Sequence, residues 1–239
     1  MNINNSATDL TVSIAKGIIG IAPVYGPLVA EIVGNLIPNQ RIDRLADFVR
    51  TLDAKLATLD KTTVEAKLKA PEFIDLLEDG FMAAARALSK ERREQIAALF
   101  HNSFAKEDLA AAQAKKLLQI LSELNDNEII LLQFYAKLAS PDRDAYRDAH
   151  KDVIIGPRAY IRAPPEVLDQ AALHDAMKAH LSRLELIQPH FSTPPGREPE
   201  FDNNTGMMKV SYWGITWLGR LLLRMIDLDD GMRKKERHD

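Results

Sequence analysis

The chain contains no cysteine among its 239 residues. Disulfide bonds, thiolate nucleophiles and cysteine-ligated zinc sites are therefore excluded. The chain also lacks an excess of positive charge, because 31 Lys and Arg residues stand against 34 Asp and Glu residues, for a net charge of −3. A globally basic surface for nucleic acid is thus absent, although a local basic patch is compatible with these numbers.

Signatures of common catalytic and nucleotide-binding sites are missing as well. The sequence has no P-loop, dinucleotide fingerprint or nucleophile elbow. His174 and Asp175 are adjacent, but His174 and His180 would point about 120° apart on a helix, unlike a metal-binding pair at i and i+4. The acidic run DLDDG at 227–231 lacks the ligand spacing of a calcium loop. We therefore predict a protein without enzymatic activity, cofactor or metal.

No apolar run is long enough to form an ordinary transmembrane helix. The most apolar stretch, GIIGIAPVYGPLVAEIVGNLIP at 17–38, has Glu31 as its only charge. Pro23 and Pro27 interrupt it, since proline removes a helix donor and restricts the preceding residue. Each piece is shorter than the about 20 residues that a spanning helix needs. The pattern predicts an apolar helical hairpin over 10–37.

Three interpretations of this hairpin remain open. It could be buried in a helical core, act on a membrane after release by a trigger, or bind a partner or a second copy through an exposed apolar patch. Its surroundings are slightly acidic, whereas helices that seek membrane surfaces are rich in Lys and Arg. The side chains predicted to contact a membrane or partner are Ile18, Ile19, Ile21, Val24, Leu28, Val29 and Ile32.

The rest of the N-terminal half carries the periodicity of amphipathic helices. Apolar residues recur three and four positions apart at Ile42, Leu45, Val49, Leu52, Leu56 and Leu59. Further helices are predicted at about 71–88, from the N-cap Ser89 onward, and at about 106–124. We expect Leu88 to face the core. The sequence thus predicts an all-α bundle over 1–124 that includes the apolar hairpin.

The C-terminal portion begins with another helix. Asn125 or Asp126 is a capping residue for a strongly apolar helix over 125–138. A connection over 140–165 contains Pro, Arg and Asp, and it leads to one or two helices that end near Leu186. This portion is predicted to form a separate domain.

Two short strand-like runs follow, IQPHF and MMKVSYWGIT, with a loop rich in Pro, Gly and Asn between them. Thr216 caps a last helix that contains Leu218 and Gly219, and a charged tail occupies 229–239. The order helix, strand, polar loop, strand and threonine-capped helix resembles winged helix-turn-helix domains. This resemblance covers 125–228 and implies a small antiparallel β-hairpin beside a recognition helix.

The winged-helix resemblance implies contact with DNA or with a protein partner. The candidate contacts are Gln170, His174, Lys178 and Arg183 on a helix at about 169–186, with Arg197 and Lys209 on the wing. From Pro165 to Asp239 there are ten Lys and Arg residues and twelve Asp and Glu residues, a net charge of −2. Because affinity for DNA depends on neutralising phosphates, this balance disfavours nucleic acid and favours protein docking.

The N-terminal portion resembles helical membrane-perforating effector domains of bacterial conflict and antiphage systems, in which an apolar segment precedes a bundle. We therefore predict a mainly α, non-enzymatic bacterial effector or adaptor, with antiphage defence as one setting and the winged helix for sensing or docking. The expected location is the cytoplasm, with membrane association on activation, and the expected partner is a protein or a second copy. The alternatives are a cytoplasmic winged-helix DNA-binding transcriptional regulator with an oligomerising bundle, and a structural scaffold.

Overall fold

The computed structural model describes residues 41–106, 110–157, 159–160, 162–191, 198–201 and 206–232. These segments are mainly helical, with a small two-stranded antiparallel sheet, in agreement with the predicted mainly α class. The apolar hairpin predicted over 10–37 lies outside them. The described residues of Met1–Glu123 and Met225–Asp227 make up unit 1, and those of Leu124–Arg224 and Leu228–Asp239 make up unit 2.

Unit 1 consists of helices. They are α1 (Ile42–Leu56), α2 (Lys61–Leu68), α3 (Pro71–Arg86), α4 (Lys90–Ala105) and α5 (Ala111–Glu123). The apolar seam predicted for α1 is confirmed at Leu45, Val49, Leu52 and Leu56, which have no solvent exposure. This seam lies against α3 and α4.

Aromatic rings fill the centre of unit 1. The Phe48 ring centroid lies 5.7 Å from that of Phe81 and 6.3 Å from that of Phe100, both edge-on. All three rings are fully buried. Gly80 lets α3 approach this cluster, because a Cβ atom at Gly80 would collide with the Phe100 ring.

The ends of the unit 1 helices follow their capping residues. The Ser89 side chain accepts a hydrogen bond from the Arg92 backbone N–H at 3.2 Å, which confirms the predicted N-cap of α4. The helix before it ends at Arg86, and Ala87 is extended. Leu88 is therefore 80 % exposed, and the prediction that it faces the core was wrong. Helix α2 was not predicted at all.

Unit 2 combines helices with the sheet. Its elements are α6 (Asp126–Ala136), a 3-10 turn (Lys137–Ala139), α7 (Arg143–Ala149), α8 (Lys151–Ile154), α9 (Pro165–Arg183), β1 (Ile187–His190), β2 (Tyr212–Ile215) and α10 (Trp217–Met225). Asn125 caps α6 in a reciprocal capping box with Glu128. The segment 140–165, predicted as a plain connection, contains α7 and α8 instead. Neither short helix buries a residue, so neither produces a periodic apolar pattern.

Strands β1 and β2 pair in an antiparallel register that sets Ile187 opposite Ile215 and Pro189 opposite Trp213. The Thr216 N–H donates to the Leu186 carbonyl at 3.0 Å. Because bonded and non-bonded pairs alternate in an antiparallel ladder, Pro189 occupies a non-bonded position whose nitrogen faces away from β2. The second strand is shorter than the predicted run, since Met207 precedes β2 by five residues.

Thr216 begins the last helix as predicted. Its Oγ1 accepts a hydrogen bond from the Gly219 N–H at 3.0 Å and donates to the Glu185 carbonyl at 2.6 Å. A Cβ atom at Gly219 would collide with the Leu186 carbonyl. Within the described segments, no helix combines the length and the apolar character that crossing a membrane requires.

Candidate interaction surface

Helix α9 is the element on which four of the predicted contact residues lie. It begins with Pro165, a residue whose fixed φ and missing N–H suit the first turn of a helix. The helix packs against α6 and β1. Only Ala171 and Leu181 are buried among its 19 residues. Most of α9 therefore lies at the surface of unit 2, and the direction of each polar side chain decides what that surface can bind.

Lys178 turns toward the sheet. Its Nζ lies 5.4 Å from the centroid of the Trp213 ring on β2. An ammonium over an aromatic face is held by the ring's quadrupole, most strongly when both groups are partly shielded from water. Both residues are half-buried. The ammonium group of Lys178, a predicted contact with DNA or a partner, therefore already contacts Trp213 within unit 2.

His180 also turns inward. Its Nδ1 lies 2.7 Å from Oε1 of Glu128, whose side chain is only 5 % exposed. The second carboxylate oxygen of Glu128 accepts the Asn125 N–H at 2.8 Å. One buried carboxylate thus joins the start of α6 to the last turn of α9.

His174 is the third inward-facing residue. A Cβ atom at Gly156 would collide with its ring, so the chain after α8 crosses directly over this side chain. The Nε2 atom of His174 is buried and has no hydrogen-bond partner within the described part of the chain. The adjacent Asp175 is exposed, so the side chains of His174 and Asp175 lie in different surroundings.

The opposite side of α9 is mostly apolar. We call the exposed residues Asp169, Ala172, Ala176, Ala179 and Arg183 the outward α9 face. Leu168 and Leu173 flank it and are 43 % and 69 % exposed. Gln170 is exposed beside them, and Asp175 adds a second carboxylate. Arg183 is the only cation on this face.

The hairpin carries the remaining predicted contacts. Lys209 is exposed, and its Nζ lies 3.2 Å from Oε2 of Glu200, so its charge is partly compensated. Arg197 lies outside the described residues. Large apolar side chains are exposed on the same arms and next to them: Phe191, Phe201, Met207, Tyr212 and Trp217 are each at least half exposed. The His190 ring stacks on Tyr212 at 4.5 Å, with an interplanar angle of 5°.

Carboxylates near the end of the described chain are each bound to a separate cation. Lys55 Nζ lies 2.7 Å from Asp227 Oδ2 in unit 1. In unit 2, Lys137 Nζ lies 2.6 Å from Asp229 Oδ2, and Arg224 Nη1 lies 2.6 Å from Asp230 Oδ2. Accordingly, no group of three His, Cys, Asp or Glu residues in the described segments could hold a metal ion.

Lys137 is the most buried of these cations, with a side chain that is 7 % exposed. Burial opposes its charge, but hydrogen bonds to Asp229 and Asp142 outweigh burial and raise the pKa of Lys137. The Ser140 hydroxyl and the Lys137 ammonium both donate to Asp142 and lower its pKa to about 2. Hydrogen bonds from Lys137 and the Gly231 N–H lower the pKa of Asp229.

Unit 1 has an open groove of about 620 Å³ beside α1 and α4, lined by charged and polar side chains that include His101. These charges already pair with one another or with neighbours. Asp47 binds Arg93 at 2.8 Å, and Lys90 lies 3.4 Å from Glu94. Arg50 also lines the groove and lies 3.9 Å from the same Asp47, so most of the charges around the groove are paired.

No known protein family, no curated protein and no solved structure matches this chain. Its interaction surface is therefore interpreted from its own residues. The cations of α9 were predicted as contacts from the sequence, but the exposed alanines between Asp169 and Arg183 were not. Their spacing of three and four residues was the available signal. The inward contacts at Trp213 and Gly156 have no counterpart in local sequence, because they come from distant segments.

Proposed function

We propose that this protein is a non-enzymatic effector or adaptor in which unit 2 is a winged-helix-type module that docks onto protein. The observation that carries this proposal is the orientation of α9. His174, Lys178 and His180 turn inward, and the helix exposes alanine and leucine instead. A surface with these properties suits apolar contact with a protein.

The same orientation argues against a DNA-reading role for α9. A recognition helix must offer cations to phosphates and polar groups to base edges. Among the predicted contacts on α9, only Gln170 and Arg183 remain exposed, and Asp169 and Asp175 would repel the phosphate backbone. The alternative of a DNA-binding transcriptional regulator consequently has weaker support.

A DNA-binding assay at low salt tests this part of the proposal. We expect no binding to random duplex DNA or to DNA from the gene's own locus, and no difference between wild type and the Lys178→Ala/Arg183→Ala double variant. Salt-sensitive binding that the double variant weakens would favour the regulator, because each lost phosphate contact reduces the salt dependence.

The apolar segment 10–37 is proposed as the acting part of the effector, on a membrane or on a partner, in a setting such as antiphage defence. Its support is the sequence alone: a nearly uncharged run broken by Pro23 and Pro27. A short apolar hairpin of this kind suits shallow insertion better than a full crossing.

Flotation and dye leakage with anionic and neutral liposomes test this part. We expect leakage from the wild type and none from the Ile18→Asp/Ile19→Asp/Val29→Asp variant. A matched control replaces three exposed apolar residues, Leu88, Ile155 and Met232, by Asp and should leak like the wild type. Full leakage from a correctly folded hairpin variant would reject membrane action by this segment.

A further inference from the structure

The outward α9 face has the spacing of a helix-pairing seam. Asp169, Ala176 and Arg183 are seven residues apart, and Ala172 and Ala179 lie between them. Residues spaced alternately by three and four align along one stripe of a helix. All five are exposed. The stripe is therefore free of the contacts that α9 makes with α6 and β1.

The two ends of the stripe carry opposite charges. Neither Asp169 nor Arg183 forms an ion pair with a described residue, and neither has an opposite charge three or four residues away on α9. They are separated by 14 residues, which is about 21 Å along a helix. The stripe thus presents a negative end, an apolar middle and a positive end.

We propose that the outward α9 face binds the same face of a second copy of this chain, with the two α9 helices antiparallel and the two-fold axis at Ala176. In this arrangement residue i of one copy is level with residue 352 − i of the other, so Asp169 of each copy meets Arg183 of its partner at both ends. Ala176 meets itself, and Ala172 and Ala179 lie side by side with a stagger of one residue, about 1.5 Å along the axis. The inference rests on the proposed function of unit 2 as a protein-docking module and names its partner.

The side chains favour this orientation over the parallel one. An antiparallel pair joins opposite charges at both ends, whereas a parallel pair would set Asp169 beside Asp169 and Arg183 beside Arg183. Alanines in the middle allow two helix backbones to approach closely, toward the short end of the about 8–10 Å range for packed helices. The flanking Leu168 and Leu173, both partly exposed, would lose contact with water on pairing.

The small contact area and one unfavourable charge limit the affinity of the proposed dimer. A helix of 19 residues is about 28 Å long, so one helix pair buries less than the about 1,600 Å² of a standard interface. Asp175 lies next to the axis and would face the same residue of the second copy. We therefore expect a dimer that forms in the micromolar range, and we expect Asp175→Asn to tighten it.

Sedimentation velocity on the full chain, from about 1 µM to about 200 µM, tests the pairing. Asp169→Arg and Arg183→Asp should each weaken dimerisation at least about tenfold, because each sets like charges against each other at both ends. An equimolar mixture of these two variants should form a mixed dimer at wild-type concentrations, since every end again joins opposite charges. The double variant D169R/R183D should recover self-association for the same reason.

A Glu166→Arg variant is the matched control, because it makes the same charge change on an exposed position of α9 outside the stripe. It should dimerise like the wild type, and circular dichroism should show equal helicity in all variants. Unchanged dimerisation in both single variants, or no recovery in the mixture, would overturn the antiparallel pairing. A wild type that stays monomeric at every concentration would reject the second copy as partner. The DNA and liposome experiments would still decide the proposed function.

Discussion

Lys137 Nζ lies 2.6 Å from Asp229 Oδ2, although the two residues are separated by 92 positions in the chain. The same ammonium lies 2.9 Å from Asp142 Oδ2 and 5.7 Å from the centroid of the Tyr146 ring. Lys137 follows directly after α6 and Asp229 follows α10. This cluster therefore fastens the last described segment of unit 2 to the end of its first helix.

Replacing Lys137 by Met should destabilise unit 2 by about 1–3 kcal/mol, the range for losing hydrogen bonds to charged groups. Met keeps much of the side-chain length, so the loss reports the charge more than the packing. Both tryptophans, Trp213 and Trp217, lie in unit 2, so urea unfolding followed by tryptophan fluorescence measures this unit.

The exposed Lys151 provides the control for this measurement. Lys151→Met changes the same charge without a buried ion pair and should leave the urea midpoint close to that of the wild type. Equal midpoints for the two variants would mean that the Lys137 cluster contributes no net stability.

The same cluster predicts an acid dependence. A carboxyl group whose pKa is lowered by folding stabilises the folded state above its ordinary pKa, and that contribution is lost as pH falls through the folded value. For Asp142 the ordinary value is 3.8 and the folded value is about 2, and the pKa of Asp229 is lowered as well. Unit 2 should therefore lose this stabilisation as the pH falls from about 4 to about 2.

An Asp142→Asn variant isolates this effect. It should melt at a lower temperature than the wild type at neutral pH, and the difference should shrink as the pH approaches 2. Melting curves by tryptophan fluorescence at several pH values make the comparison. A difference that stays constant across this range would assign the loss to packing or to the Ser140 hydrogen bond and not to the charge.

Gly80→Ala should destabilise unit 1 despite the better helix propensity of alanine, which favours the variant by about 1 kcal/mol. The added methyl group would collide with the fully buried Phe100 ring, and overpacking a core costs about 1–3 kcal/mol. Far-UV circular dichroism during urea unfolding is suitable because unit 1 has no tryptophan. A gain in stability would show that the ring moves aside without cost.

Glu128 should couple α6 to α9 through His180. Glu128→Ala removes both the capping box and the histidine contact and should cost about 1–2 kcal/mol or more. A double-mutant cycle with His180→Ala separates the two parts, and we expect a coupling energy of about 0.5–3 kcal/mol. Strictly additive losses would mean that only the cap matters.

Features set by local chemistry were predicted from the sequence. Ser89 and Thr216 cap helices as expected, and of the two candidates Asn125 and Asp126 it is Asn125 that caps α6. Each cap needs only an oxygen and the N–H groups of the next turn. The apolar seam of α1 and the two strands on either side of the polar loop were also found. The apolar residues of α1 recur at helical spacing, and the structure buries them. This spacing is why the sequence predicted the seam.

Features that depend on distant segments were not predicted. Leu88 looked like a core residue because the helix was expected to continue past Arg86. Helix α2 was not predicted, because it buries only Val64 and Leu68 and two residues do not make a periodic apolar pattern. The inward direction of Lys178 depends on Trp213, which is 35 positions away. Because of such long-range contacts, the exposed surface of α9 is an apolar stripe and not the predicted row of cations.

Pro189 has a consequence for how unit 2 meets other molecules. A bare strand edge offers a ladder of backbone donors and acceptors on which foreign strands can grow into fibrils. Along the outer edge of β1 the proline removes one of the donors that such a ladder requires. A hairpin with exposed aromatic rings but an interrupted ladder is protected from uncontrolled strand addition on that side. Contacts on that side therefore depend more on side chains, which can discriminate between partners in a way that backbone groups cannot.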